Sequence, residues 1–357
     1  VTAPRSVLIV VLRRLGDVLL ATPLVRSIKH AWPQAAVDVL VFRGTEVMLA
    51  GNPDIRAVIT MSERPGAAET LALIRRLWRA YDLAISAQTG DRPTTFTVIA
   101  GRRRAGMSAA GWGGALKRLF LHVPVPQVTD LHRITDTLRL ATAVGAAPVA
   151  EIVPPRGDAA LPLPTTPYVV LHANPFYSVR RWHQAGWRGL AATLHRRGFG
   201  IVVTGGRGAD EAAYLDALWG GCDVPVQRFD GRLSWPELAA LLHGAAVYVG
   251  PDTSVTHLAA AIGVPCVALY GPVDPLLIGP WPVGGLDRPW ERSGTIQHRG
   301  NVRVVQNPLP CLPCERLGCL NQLDSYSRCL DELSLGQVLT AVDAALAHAA
   351  LGAARAD

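Results

Sequence analysis

The segment Ala245 to Pro275, AAVYVGPDTSVTHLAAAIGVPCVALYGPVDP, constrains the fold more than any other stretch. Ala245 to Val249 is a continuous apolar run, the pattern of a buried strand. Pro251 and Asp252 break it. From Thr253 to Ile262, apolar residues Val255, Leu258, Ala259 and Ile262 recur at spacings of three and four, which predicts a helix. Asp252 is placed to cap that helix by accepting from the free amides of Ser254 or Val255. Gly263 and Pro265 stop it. Val264 to Leu269 is a second buried strand, and Gly271-Pro272 turns the chain away. A strand, loop, helix and strand in this order form a unit of a parallel sheet. Its first turn brings amides, hydroxyls, one carboxylate and the positive end of a helix to one point. Such a point suits a diphosphate, and it equally describes an ordinary capped helix.

The chain has 357 residues, more than one core usually serves, so two domains are expected. The 35 Lys and Arg outnumber the 28 Asp and Glu, giving +7, but the basic residues are scattered in pairs and triplets such as Arg75-Arg76, Arg102-Arg103-Arg104 and Arg180-Arg181. No basic tail suggests nucleic acid as a partner. The charge suits an anionic substrate or a phosphate-rich membrane face. Val7 to Leu12 is too short for a signal sequence and is followed at once by Arg13-Arg14. No other run approaches a membrane span, so a soluble cytoplasmic protein is expected.

In chain order, Val7 to Leu12 predicts the first strand, Arg13 to Asp17 a loop, and Val18 to His30 a helix. Asp17 then lies at the carboxyl edge of the sheet, as a helix cap or as a ligand-facing carboxylate, with Gly16 permitting close approach. There is no GxGxxG, so a dinucleotide fingerprint is absent. Strands follow at 37–42, 57–59 and 83–86, with helices at 45–50 and 69–79. Gln88 and Asp91 fall in the loop after the 83–86 strand. Gly101 to Met107 leads into another strand, Gly111 to Gly114 reads as a surface turn or a substrate entrance, and Leu119 to Val123 closes the sheet. Asp130 to Val144 is a helix, with His132 structural.

Pro154, Pro155, Pro162, Pro164 and Pro167 mark a stiff connector. A second alternating set begins at Tyr168 to Leu171. It continues with a loop from His172 to Arg181, helices at 184–197 and 209–218, and a strand at 200–203 ended by Thr204-Gly205-Gly206. Ser234 and Glu237 form a capping box for the helix 236–243. Leu335 to Leu351 is a final amphipathic helix. Cys222 and Cys266 are isolated and read as buried apolar residues. Cys311, Cys314, Cys319 and Cys329 are spaced C-x2-C-x4-C-x9-C. In a cytoplasmic chain that density favours a structural zinc or iron over disulfides, with disulfides or free thiols the alternatives.

Three stretches make the sequence similar to a known family. They are Arg13 to Leu24 (RRLGDVLLATPL), His172 through Arg180-x-Trp182 to Trp187, and Gly250-Pro-Asp-Thr-Ser254 with His257 and Tyr270-Gly-Pro-Val-Asp-Pro275. Together they resemble the ADP-heptose:lipopolysaccharide heptosyltransferases of glycosyltransferase family 9, most of all the core heptosyltransferase II/III type. The resemblance implies an α/β chain of GT-B architecture, two Rossmann-like domains facing across a cleft. Residues 1–160 would bind the acceptor and 161–335 the nucleotide sugar, with 336–357 a helix packing back toward the first domain. It implies inverting transfer of a manno-heptose from ADP-heptose to an anionic lipid-linked saccharide, the lipopolysaccharide inner core. The enzyme would be peripheral at the cytoplasmic face of the inner membrane.

On the matched positions, Asp17 is the expected general base, since an acceptor hydroxyl must lose its proton as it attacks. Arg180, where lysine is common in the family, is expected to neutralise the leaving diphosphate. Thr253 and Ser254 supply amides and hydroxyls to the diphosphate. Asp252 caps the helix and holds a sugar or acceptor hydroxyl, since it would repel phosphate. His257 orients the loop or is a satisfied core residue. Gly205 and Gly206 let the nucleotide approach. Asn174 departs from the family pattern, which leaves its phosphate contact open. No acidic metal-binding pair is present, so no catalytic metal is expected, and some relatives share the cysteine cluster. The alternatives are a transferase of the same family with another donor or a non-lipopolysaccharide acceptor, an epimerase of the same two-domain form, or an inactive nucleotide-sugar-binding protein.

Overall fold

Val7 to Val10 have no exposed surface at all, which is why the first strand reads as an unbroken apolar run rather than an alternation. The computed structural model describes residues 3–157, 164, 166–323 and 325–353, with backbone alone for 351–353. Contacts divide the chain into two units, Val1–Arg156 and Gly157–Asp357. Most of the proline-rich connector, 158–163 and 165, lies outside the described residues.

The first unit has strands β1 (Ser6–Val11), β2 (Ala36–Phe42), β3 (Ala57–Met61), β4 (Tyr81–Ser86), β5 (Gly101–Ser108) and β6 (Val123–Pro126). All pair in parallel, in the order β3-β2-β1-β4-β5-β6. Its helices are α1 (Leu15–Leu19), α2 (Thr22–Ala31), α3 (Ala67–Leu77), α4 (Asp91–Ala100), α5 (Trp112–Arg118) and α6 (Arg133–Val144). From β1 the chain runs outward through β2 and β3, then crosses to β4 on the other side. The loops after β1 and β4 therefore part company, leaving a crevice at the carboxyl ends of those strands.

Four expectations for this unit are corrected. The strand that closes the sheet is Val123–Pro126 rather than Leu119 to Val123, because Leu119 and Phe120 continue in a turn after α5. The helix expected from Val18 to His30 is two helices, because Pro23 in the first turn of α2 has no amide to continue the α1 ladder. The loop expected at Asp91 is the start of α4. Its threonines are poor helix formers, but Thr94, Thr95 and Thr97 donate to carbonyls four residues back, and burial of Phe96 and Ala100 decides the conformation. The turn expected at Gly111 to Gly114 is the first turn of α5. A Cβ on Gly114 would lie 1.8 Å from the Ala109 carbonyl oxygen, so only glycine fits there.

The second unit has strands β7 (Tyr168–His172), β8 (Gly200–Thr204), β9 (Val226–Arg228), β10 (Val247–Pro251), β11 (Cys266–Leu269), β12 (Ile296–Arg299) and β13 (Val302–Val305). The order is β12-β13-β11-β10-β7-β8-β9, parallel throughout except β12 with β13. Helices are α7 (Gln184–Arg196), α8 (Ala209–Gly220), α9 (Trp235–His243), α10 (Ser254–Ile262), α11 (Pro275–Ile278), α12 (Arg328–Asp331) and α13 (Leu335–Ala353). The order again reverses at the first strand, between β7 and β10. The Ser234–Glu237 capping box is present, and Gly263 ends α10 in the left-handed region at φ 94°. The core gathers the edge-to-face pair Trp182 and Trp187, centroids 5.2 Å apart, with Leu190, Val267 and Leu330. Val338, Ala341, Val342 and Ala345 of α13 pack into this same core.

Candidate active site

In the first unit, the chain leaves β1 through Arg13 and Arg14 and enters α1, with Asp17 in the first turn of that helix rather than at its cap. The Asp17 side chain is 21% exposed, and Arg133 Nη1 lies 3.6 Å from its Oδ1. Arg133 opens α6, and His132 caps that helix by accepting from the Ile134 amide at 3.2 Å, a structural role as expected. Asp17, Arg13, Arg133 and Thr137 line a cavity with Gln88, which follows β4. Gln88 Nε2 donates to the Leu12 carbonyl at 3.1 Å, while its Oε1 is buried with no hydrogen-bond partner. One carboxylate, two guanidiniums and an unsatisfied amide oxygen thus meet at the strand-order reversal. That set can take a proton from a hydroxyl and attract an anionic molecule. Gln88 was visible in the sequence as a strand-end residue. Arg133 and Thr137 were not, because a helix start 116 residues after Asp17 carries no local signal.

In the second unit, the reversal lies between the loops after β7 and β10, and both carry expected residues. Arg180 ends a short turn after β7. Its Nη1 donates to Asp252 Oδ2 at 2.5 Å, and its guanidinium lies 5.3 Å from the centre of the Tyr177 ring. Asp252 is 8% exposed and does not cap α10. The cap is Thr253, whose hydroxyl accepts from the Thr256 amide at 3.3 Å. Asp252 instead also accepts from the Tyr270 hydroxyl at 3.3 Å, with His257 Nε2 3.6 Å away. Burial pushes the Asp252 carboxyl up, but the bond to His257, the Arg180 charge and the Tyr270 hydroxyl outweigh it and hold it below the ordinary aspartate value. His257 Nδ1 is buried without a hydrogen-bond partner. Arg180, Asp252 and His257 are therefore one network, beside the first turn of α10 where Thr253 and Ser254 sit.

Asn174 stands a step away, accepting at 2.8 Å from Arg181 Nε, while the Arg181 guanidinium stacks 4.0 Å from the Tyr214 ring centre. Gly205 and Gly206 follow β8. A Cβ on Gly205 would meet Leu215 at 2.3 Å, and the Gly206 amide donates to Glu211 Oε1 at 2.7 Å. Internal packing therefore favours glycine at 205, whereas at 206 an added Cβ meets only the movable end of the Glu211 side chain.

The cysteine segment braces the Arg180 loop. Ser178 Oγ donates to the Leu323 carbonyl at 2.9 Å, Ser327 Oγ donates to the Val179 carbonyl, and Trp182 Nε1 donates to the Leu333 carbonyl at 2.8 Å. Cys311 and Cys319 are exposed, Cys314 is half-buried, Cys329 is buried, and none is bridged. Burial, then the neighbouring Cys314, Cys319 and Cys311, pushes the Cys329 thiol up to about 12. A zinc or iron site is expected of these four; among the described residues, no three His, Cys, Asp or Glu side chains are grouped to hold a metal ion. Cys319 Sγ instead accepts from the Arg328 amide at 3.4 Å. Among the described residues, no helix is long and apolar enough to cross a membrane.

Two doubly wound sheets in tandem, each with polar residues converging at its strand-order reversal, define the GT-B fold class. A structure of Escherichia coli ADP-heptose lipopolysaccharide heptosyltransferase II shares this fold, with a TM-score of 0.71 at 19% identity over 96% of this chain and 99% of that one. The chain belongs to glycosyltransferase family 9 (heptosyltransferase), whose model matches residues 70–285. Lipopolysaccharide heptosyltransferase 3 of Escherichia coli is 27% identical over 290 residues, covering 74% of this chain and 83% of that protein. Lipopolysaccharide heptosyltransferase 1 of Pseudomonas aeruginosa is 28% identical over 354 residues, covering 93% and 92%.

Proposed function

We propose that the chain moves a heptose from ADP-heptose to a hydroxyl of the lipopolysaccharide inner core, with inversion at the transferred carbon and without a catalytic metal ion. Family membership and the relatives named as lipopolysaccharide heptosyltransferases support the substrate classes. The observation that carries the chemistry is Asp17, a part-exposed carboxylate in a cavity at the sheet's reversal point with Arg133 at 3.6 Å.

The acceptor hydroxyl oxygen bonds to the anomeric carbon as the bond from that carbon to the diphosphate oxygen breaks. The hydroxyl proton passes to Asp17, and ADP leaves with the electron pair. A single displacement inverts the centre and needs no covalent intermediate. Arg13 and Arg133 give the acceptor cavity the charge to hold an anionic saccharide. Charge developing on ADP is met by Arg180 and by the amides at the start of α10. Arg180 spends one of its five N–H groups on Asp252, so the rest of the fork remains to bind phosphate in a fixed orientation. An acceptor carried in a lipid layer places the enzyme at the cytoplasmic face of the inner membrane.

Calorimetry with ADP, UDP, GDP and AMP tests the donor. ADP should bind best and AMP more weakly, and Arg180→Ala should remove most of the preference for ADP over AMP. UDP or GDP binding best would replace the donor with another nucleotide sugar. Equal binding of ADP and AMP would remove the diphosphate site from the α10 region.

A further inference from the structure

Helix α5 is inverted. Trp112, Leu116, Leu119 and Phe120 follow one another at spacings of four, three and one, which places them on one helical face as the chain continues beyond Arg118 in helical hydrogen bonds. That face points to solvent, with exposures of 94, 60, 79 and 52%. The inward side carries Gly114, packed on the Ala109 carbonyl, and the half-buried Lys117, which bonds the Thr89 carbonyl at 2.9 Å and Asp91 at 2.5 Å. A helix that only needed to pack on its sheet would place these residues the other way round.

The surroundings are basic. Arg118 is exposed beside the stripe. Two residues past Phe120, the exposed His122 lies against Arg104, with Arg104 Nε 3.4 Å from its Nδ1. Asp91 is the facing carboxylate, and Lys117 neutralises it. An exposed tryptophan, two leucines and a phenylalanine flanked by Arg118 and Arg104 have the composition of an interfacial membrane helix, with aromatic and aliphatic groups at the acyl boundary and cations at the headgroups.

We propose that the outward stripe of α5 docks this chain on a bilayer containing anionic phospholipid, with Trp112, Leu116, Leu119 and Phe120 inserted and Arg118 and Arg104 on the headgroups. The proposal rests on the reading that the acceptor is held in a membrane, and it names the surface that meets that membrane.

The test pellets the full chain with phosphatidylcholine vesicles, with and without phosphatidylglycerol. Two variants go beside it: Trp112→Ser/Leu116→Ser/Leu119→Ser and Arg118→Glu. These positions are exposed, and transfer to a lipid-free core oligosaccharide shows that each variant is folded. The wild type should favour the anionic vesicles, and each variant should bind them at least about tenfold more weakly with unchanged transfer to the lipid-free acceptor. Wild-type binding by the triple variant, or equal binding to both vesicle types, would overturn the proposal. So would a wild type that ignores vesicles but forms a dimer lost in the triple variant, which would make the stripe an interface between copies. A wild type that transfers heptose to the lipid-free acceptor yet never binds vesicles removes the docking surface and leaves the transferase reading standing. Vesicle binding lost in both variants, with no transfer to any acceptor, does the reverse.

Discussion

Replacing Arg180 with alanine strands a carboxylate inside the second unit. The Asp252 side chain is 7% exposed and that of Arg180 30%. Breaking a buried pair by removing one partner costs about 3–5 kcal/mol. Here the Tyr270 hydroxyl and His257 stay with the carboxylate, and solvent screens part of the Arg180 attraction, so Arg180→Ala should cost on the order of 2 kcal/mol. Asp252→Ala leaves a guanidinium that can turn to water and should cost about 1 kcal/mol. The double variant strands neither charge and should also cost about 1 kcal/mol, so the cycle should show a coupling of about 2 kcal/mol. In a unit of this size Arg180→Ala should lower the melting midpoint by roughly 6 °C. The folded Asp252 pKa lies below the unfolded one, so the contribution is complete above the ordinary aspartate range and fades only as pH falls through the folded value. Measurements at neutral pH therefore see all of it. Urea unfolding followed by the buried Trp182–Trp187 pair reports on the unit concerned. Strictly additive variants would show that the pair contributes nothing and that Arg180 is a solvated surface charge.

Burial lowers the His172 pKa to about 4, only partly offset by bonds with the Asn174 and Thr204 backbone. The unfolded chain takes this proton below its ordinary value and the folded chain does not, so stability should fall by about 3 kcal/mol between pH 6.5 and 4. His172→Gln should flatten that limb of a denaturation profile, and parallel profiles would contradict the assignment. Gly205→Ala pushes a methyl into Leu215 and should cost about 1–3 kcal/mol, while Gly145→Ala, with nothing within 4 Å of its added methyl, should show only the milder strain of its positive φ. Among the four cysteines of the 311–329 segment, thiol titration should find Cys311 and Cys319 reacting first and Cys329 last; four protected thiols with a bound metal would contradict the arrangement described for them.

Strand-forming stretches such as Val7 to Leu12 and Ala245 to Val249 were legible because a buried parallel strand is a short apolar run bounded by turn signals. The helix Asp91–Ala100 was harder, because threonine hydroxyls disguised a helix that packing imposes. Asp17, Arg180 and Asp252 were found through strand-end position and motif, both local properties. Their partners were not: Arg133 beside Asp17, and Arg180 itself as the partner of Asp252, are long-range contacts set by sheet order. The cap of α10 shows the same limit at short range. Asp252 and Thr253 are both good caps, and the choice fell to Thr253 because Arg180, 72 residues away, claims the aspartate. β12 carries the buried polar residues Gln297 and Arg299, and Arg303 interrupts the valines of β13, so neither strand shows an unbroken apolar run.

Removing the Asp17 carboxylate is the most direct test of heptosyl transfer by this chain. The wild type and Asp17→Asn are each incubated with ADP-heptose and a lipopolysaccharide core that keeps the accepting hydroxyl but lacks the heptose to be added, and product is followed by mass spectrometry. ADP affinity is measured in parallel by calorimetry. The account predicts one heptose added by the wild type, a rate at least about 100-fold lower for Asp17→Asn, and the same ADP affinity in both. Asp17→Asn turnover within a few-fold of wild type, or a wild type that leaves ADP-heptose untouched, would contradict it.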